Sequence, residues 1–289
     1  MKGTEVVDRP DTDVVTDADS PSPDKTRRDY GAMGRLILRV VAPVALASLV
    51  VLAWQIAVQV GGLQPTTLPS PTRVAEAAWQ NRELLWLNTV PTLKATVIGL
   101  VVSMVAAVLI ATVLSFVPWL RGATLPLLIA AQAIPIVVLA PLFVIWFGFG
   151  LGPKITLIVI ATSLPMTIAL TEGFLSADPD AAKLMKALGA NRPKVFLRLQ
   201  IPSALPFFFT GLRIVASYAV LAAIFAETAG AERGLGIFMM SQKSSLRTDL
   251  VLAAVIISIA MGLVLFSLTY LLEALMMPWE RRRKAMRTE

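Results

Sequence analysis

The 289-residue chain is 56% apolar and 16% charged, with a mean hydropathy of +0.72. A soluble domain carries about 25% charged residues and roughly 45–50% apolar ones, so this excess indicates a chain lying mostly in lipid. It contains no cysteine and no histidine, which excludes disulfides, zinc sites built on either residue, Ser-His-Asp triads and Cys-His nucleophiles. No catalytic residue and no metal site is expected.

The net charge of +7 is unevenly spread. Residues 1–30 hold eight acids and five bases, which leaves a net +10 on the remainder. This first segment is rich in Asp, Thr, Pro and Ser and lacks the apolar run of a secretory signal. It reads as a disordered cytoplasmic tail over about residues 1–35.

Long apolar stretches follow. Residues 40–63, 95–120, 122–153, 155–171 and 250–272 carry no charge, and 204–226 carries only Arg213. A helix needs roughly 17–25 residues to cross about 30 Å of hydrocarbon. Six spans are therefore expected, near 40–61, 92–117, 123–148, 154–173, 204–227 and 250–275. Backbone groups in lipid must be paired internally, so these spans are helices; the ten-residue alternating segments of a barrel are absent. The expected fold is an all-α membrane protein with a transmembrane domain over 36–280 and a basic cytoplasmic tail over 281–289.

Lys and Arg set the orientation. With the N-terminus inside, the inner segments hold sixteen bases and the outer ones seven. This bias predicts an N-in, C-in topology in a plasma membrane. Trp54, Trp79, Trp86, Trp119, Trp146 and Trp279 fall near span ends or in the first loop, as interfacial anchors do. The cluster Arg281–Lys284 sits just past the last span and reads as a topology determinant rather than a nucleic-acid patch.

The segment between spans four and five runs DPDAAKLMKALGANRPKVFLRLQIPSALP, residues 178–206. Asp178 is a helix cap, Pro179 suits the first turn and Asp180 lies at the positive dipole end. Ala181, Leu184, Met185 and Leu188 follow helical spacing, and Gly189 supplies a terminating positive φ. Asn191 caps a second helix with Pro193 in its first turn. Val195, Phe196 and Leu199 form its apolar face, and Pro202 is expected to stop it. The residues alone leave two readings open: both faces pack beneath the bundle, or the unit presents a docking surface to a partner.

Here the chain resembles the permease subunits of bacterial ABC importers, whose cytoplasmic signature is written E-A-A, three residues, G, nine residues, I-x-L-P. Gly189-Ala190 and Leu199-x-Ile201-Pro202 carry the likeness, which extends over about residues 88–276. The runs PLFVIWFGFG (141–150), SALPFFFTGLRI (203–214) and LRTDLVLAAVIIS (246–258) resemble the branch carrying nitrate, sulfonates, taurine and pyrimidine- or riboflavin-type compounds. One departure stands out: Lys183, Leu184 and Met185 occupy the E-A-A positions, and Asp180-Ala181-Ala182 matches only three positions early.

The resemblance implies a homodimer of permeases embedded in membrane lipid. Each copy docks residues 178–202 into a cytoplasmic ATPase subunit, and an extracellular solute-binding protein delivers a small solute to the opposite face. The docking residues implied are Lys183, Leu184, Met185, Lys186, Leu188, Gly189, Ala190, Asn191 and Phe196. No G-x-x-x-x-G-K-[ST] phosphate loop occurs, so no cofactor is expected on this chain and ATP acts through the partner. Alternating access follows as the mechanism.

Polar residues in spans are functional suspects. Gln132, Ser163, Thr167 and Ser217 are candidates to line a path, with Glu227 near its outer entrance. Arg213 is read as an interhelical contact, and Glu172 as an inner boundary residue. Pro135, Pro141 and Pro165 interrupt backbone bonding and point to spans three and four as walls of the path. Residues 69–88 read as one interfacial helix with Val74, Ala77, Ala78 and Trp79 on its apolar side, and 230–249 as a Gly-rich outer loop. A self-contained transporter or channel is the alternative, but it ordinarily shows central acids or a filter loop, which these spans lack. An intramembrane enzyme is remote. The substrate leans toward a vitamin precursor or a related small anionic or heterocyclic compound.

Overall fold

The computed structural model of the protein describes residues 25–62 and 64–277. The segment 1–24 and the basic tail lie outside the described residues. Among the described residues every regular element is helical. α1 (Lys25–Val60) begins some ten residues before the expected end of the tail. Lys, Arg, Ala, Leu and Met are strong helix formers, and no proline interrupts before Pro43. Its apolar stretch Val41–Val60 is long enough to span a bilayer.

The remainder is built from α2 (Pro71–Gln80), α3 (Arg82–Phe116), α4 (Pro118–Ala131), α5 (Ile136–Phe147), α6 (Leu151–Leu175), α7 (Pro179–Ala187), α8 (Arg192–Val195), α9 (Ile201–Thr228), α10 (Leu235–Ser244) and α11 (Thr248–Met276). α6 lies between α3 and α9 and forms the centre. Their contact faces are small: Ala95, Ala107, Ala111, Ala216, Ala219, Ala222 and Ala223 are fully enclosed. Lipid gives helices no hydrophobic reason to associate, so close backbone approach over small residues supplies the packing energy. Gly99 shows the tolerance: a Cβ there would come within 2.6 Å of Ile158. Large aliphatic residues point the other way, with Leu109 62% and Val264 66% exposed. Apolar residues outside and small residues inside are the pattern of a lipid-immersed bundle.

Contacts at the helix ends fix the chain path. Phe116 at the end of α3 and Phe174 near the end of α6 both stack on Phe196, each at 5.0 Å. At the opposite end, Thr92 of α3, Lys154 of α6 and Glu227 of α9 meet. α3 and α6 therefore run in the same direction, and α4 and α5 must carry the chain back between them. They do so with a 99° bend, so the expected straight span 123–148 is a broken one. Pro135 is the reason: lacking an N–H, it stands as the N-cap of α5 with extended ψ of 119°.

Two further expectations change. The interfacial helix 69–88 divides at Asn81, whose Nδ2 donates to Ala77 O at 2.8 Å and closes α2. Trp79 consequently points outward, 72% exposed beneath Arg82, while Val74 and Ala77 are buried as expected. The outer loop 230–249 contains α10, a further helix.

Candidate functional site

Three places combine polar groups with shape: the α7–α8 hairpin, the opposite end around Glu227, and a cavity at the α4–α5 break.

In the hairpin, Asp178 Oδ1 accepts the N–H groups of Asp180 and Ala181, at 2.8 and 3.4 Å, and starts α7. Gly189 has φ +84°, a left-handed conformation that side chains disfavour. Its N–H bonds Lys186 O, and the next N–H, of Ala190, returns to Met185 O, closing the helix. Asn191 Oδ1 then accepts Lys194 N–H and opens α8. Pro202 does not stop this second helix. A π-helical turn over Phe196–Gln200 sends the Ile201 N–H five residues back to Phe196 O. The ladder thereby shifts register just before the proline, and the helix continues into α9. The hairpin is thus mounted rigidly on a helix running from Arg192 to Thr228.

Of the residues implied for docking, Lys183, Leu184, Lys186, Leu188, Gly189 and Asn191 are exposed and Met185 and Ala190 half-buried. Phe196 is different. It is 7% exposed and held between Phe116 and Phe174, so it anchors the hairpin to the bundle rather than meeting a partner. This aromatic, five residues past the Asn191 cap and with Val195 beside it, fills the junction of three helix ends.

At the opposite end, Glu227 is fully buried. Thr92 Oγ1 donates to its carboxylate at 2.9 Å and accepts Leu235 N–H at 2.8 Å. Gly236 N–H donates to Glu227 Oε2 at 3.0 Å, and Gly234 N–H to Asn88 Oδ1 at 3.1 Å. Lys154 Nζ lies 3.7 Å from Glu227 Oε1 and donates to Arg233 O at 3.2 Å. This knot joins α3, α6, α9 and α10. Burying an ion pair is costly unless hydrogen bonds complete it, and here backbone and hydroxyl groups do so. Gly234 and Gly236 leave room for it, since a Cβ on either would enter the Glu227 carboxyl or the Ile224 carbonyl. Glu227, expected at an entrance, is therefore inaccessible and structural. Asn88 and Thr92 carry no signal in the sequence, and Lys154 reads there only as one of the outer bases; the available signal was two opposite charges closing apolar runs at the same bundle end.

The third feature is a cavity of about 460 Å³ lined by the α4–α5 break, α6 and α9. Ligand pockets are typically about 300–1,000 Å³. Gln132 lies in its wall, as do Pro135, Pro165, Tyr218 and Phe225, and no ionisable acid or base lines it apart from the Tyr218 phenol. Ser163 and Thr167 are buried instead in the helix packing, Thr167 Oγ1 without a partner. Ser217 is exposed and does not line the cavity. Of the candidate path residues, the cavity thus gathers Gln132 alone. Arg213 makes the interhelical contact expected of it, bonding Glu273 at 3.1 Å and covering the Tyr270 ring at 4.7 Å.

Comparison with known proteins is consistent with this architecture. The family model described as binding-protein-dependent transport system inner membrane component matches residues 85–278. The chain is 33% identical over 242 residues to the formylaminopyrimidine transport permease protein ThiX of Halalkalibacterium halodurans, covering 83% of this chain and 96% of that one. It is 34% identical over 240 residues to the riboflavin transport system permease protein RibX of Chloroflexus aurantiacus, covering 82% and 89%. The fold resembles a chain in the crystal structure of an amino acid ABC transporter with histidines, with TM-score 0.55 and 16% identity over 68% of this chain and 96% of that one. ATP hydrolysis in such systems resides in a separate subunit, so this chain is no enzyme. It belongs to the binding-protein-dependent transport system inner membrane components, as a permease subunit of an ABC importer for a small solute.

Proposed function

We propose that the α7–α8 hairpin is the element through which an ATPase subunit drives this permease. The observation carrying this reading is the hairpin itself: Leu184 and Leu188 stand exposed around the Gly189 turn, at the bundle end remote from Glu227, on a helix continuous with α9. On this reading the hairpin end is cytoplasmic, the chain is N-in and C-in, and the Glu227 end meets the solute-binding protein. Two copies pair, and the cavity beside Gln132 forms part of the path. ATP is bound by the ATPase pair. Movement of residues 178–202 tilts α9 and switches access between the two sides, each partner acting through its different affinity for the two states. Gly189→Val should abolish ATPase co-purification while leaving membrane insertion intact, because valine disfavours φ +84°. Normal assembly of that variant would refute the docking role.

For the substrate, we infer a small nitrogen heterocycle. Two relatives carry names for formylaminopyrimidine and riboflavin transport, and the cavity beside Gln132 offers an amide, Tyr218 and Phe225 with no fixed charge. Such a lining suits stacking and hydrogen bonding to a planar ring better than pairing with a sulfonate. Measuring the ligand of the cognate binding protein decides this; a sulfonate ligand would overturn it.

A further inference from the structure

On the reading of residues 178–202 as the docking hairpin, its charges indicate the chemistry of the partner's surface. Both acids of the hairpin are already engaged. Asp178 caps α7, and Asp180 holds Lys183 at 2.9 Å. Four further bases, Lys186, Arg192, Lys194 and Arg198, are exposed. Among the described residues no carboxylate lies within ion-pair distance of any of them.

Two of these bases converge. Lys186 at the end of α7 and Arg192 at the start of α8 line one recess of about 180 Å³. Ser115 from α3 and Gln200 from the π-helical turn also line it and are bonded to each other at 3.3 Å. No acid lines it. Two like charges sharing a concave site repel, and each gains when a carboxylate enters, the more so as the site is partly shielded from water. Leu184 and Leu188, at helical i, i+4 spacing, project from the other side of α7, 62% and 79% exposed.

We propose that the recess between Lys186 and Arg192 receives an acidic side chain of the ATPase subunit, while Leu184 and Leu188, on the other side of α7, enter an apolar groove. The partner surface is therefore an apolar groove with an acidic edge. Lys183 sharpens the point. It stands where the family signature has glutamate, so this position carries a base, paired with Asp180, in place of an acid. An anionic lipid surface also attracts basic amphipathic helices, but a flat headgroup layer cannot fill a recess walled by α3, α4, α7, α8 and the π-helical turn.

The test measures affinity between the full-length permease in detergent and its ATPase subunit at about 50 and about 500 mM NaCl, conditions that differ strongly in screening. At low salt the double variant Lys186→Glu/Arg192→Glu should bind the ATPase about tenfold or more weakly. High salt should weaken the wild type toward the variant, and changing the facing ATPase acid to lysine should restore binding. The neutral variant Lys186→Gln/Arg192→Gln should fall between the two and guards against misfolding as the cause. Wild-type affinity of the charge-reversed variant at both salts would overturn the proposal. If Leu184→Ala/Leu188→Ala weakens binding and charge reversal does not, the hairpin docks but its acidic counterpart is wrong. If neither matters, the docking reading itself fails. Loss of binding to phosphatidylglycerol vesicles with ATPase affinity retained would assign the bases to lipid and also overturn it.

Discussion

The two ends of the bundle use charge in opposite ways. At one end a single acid, Glu227, is enclosed with Lys154, Thr92 and two backbone N–H groups, and no solvent reaches it. At the other, the hairpin exposes four bases with no carboxylate among the described residues within ion-pair distance. The difference follows from what completes each set. The buried charges are satisfied within the chain, so they hold helices together. The exposed ones have no carboxylate partner among the described residues, so they are the candidates for recognition. A charge close to a membrane is thus informative mainly through its partners.

The comparison predicts the largest effect at the buried end. Glu227→Ala leaves Lys154 enclosed without its counter-charge and Gly236 N–H without an acceptor, and should cost about 3–5 kcal/mol of stability, read as a lowered unfolding temperature in detergent. Pairing Glu227→Leu with Lys154→Met removes both charges and should recover much of that loss, since an apolar replacement of a buried pair is often neutral. A double variant as unstable as Glu227→Ala would mean that the hydrogen bonds, not the charges, hold the knot. Gly236→Ala should follow at about 1–3 kcal/mol, because its methyl would meet the Ile224 carbonyl and the Glu227 side chain. Arg213→Ala, at mid-helix, should cost about 2 kcal/mol through loss of the Glu273 bond and the Tyr270 contact.

The contrast was only half readable in the sequence. The hairpin was local: a cap at Asp178, a positive-φ glycine at 189 and a second cap at Asn191 lie within fourteen residues, and turn chemistry of that kind depends on near neighbours. Five long helices followed from apolar length alone. The knot was not local. Thr92 and Glu227 are 135 residues apart, and nothing in either segment announces the other; Lys154 looked like one more outer base. Pro202 misled for a related reason. A proline normally ends a helix through its missing N–H, but the π-helical turn ahead of it moves that vacancy into the register shift. The docking role of Phe196 is implied by the resemblance alone, since periodicity reports that a face is apolar without saying whether bundle or partner covers it.

The smallest predicted effect gives the most direct check on the exposed end. Lys183 and Asp180 form an ion pair at 2.9 Å with side chains 77% and 83% exposed. In water such a pair is worth about 0.3–0.5 kcal/mol, so Asp180→Asn should leave the unfolding temperature almost unchanged. Its consequence for recognition should differ in sign. Removing the carboxylate frees Lys183 and raises the positive charge of the hairpin, which should tighten ATPase binding slightly at low salt and not at high salt. If Asp180→Asn instead weakens that binding at low salt, the hairpin presents acid as well as base to its partner, and the division between an internally satisfied end and an externally satisfied one does not hold at this residue.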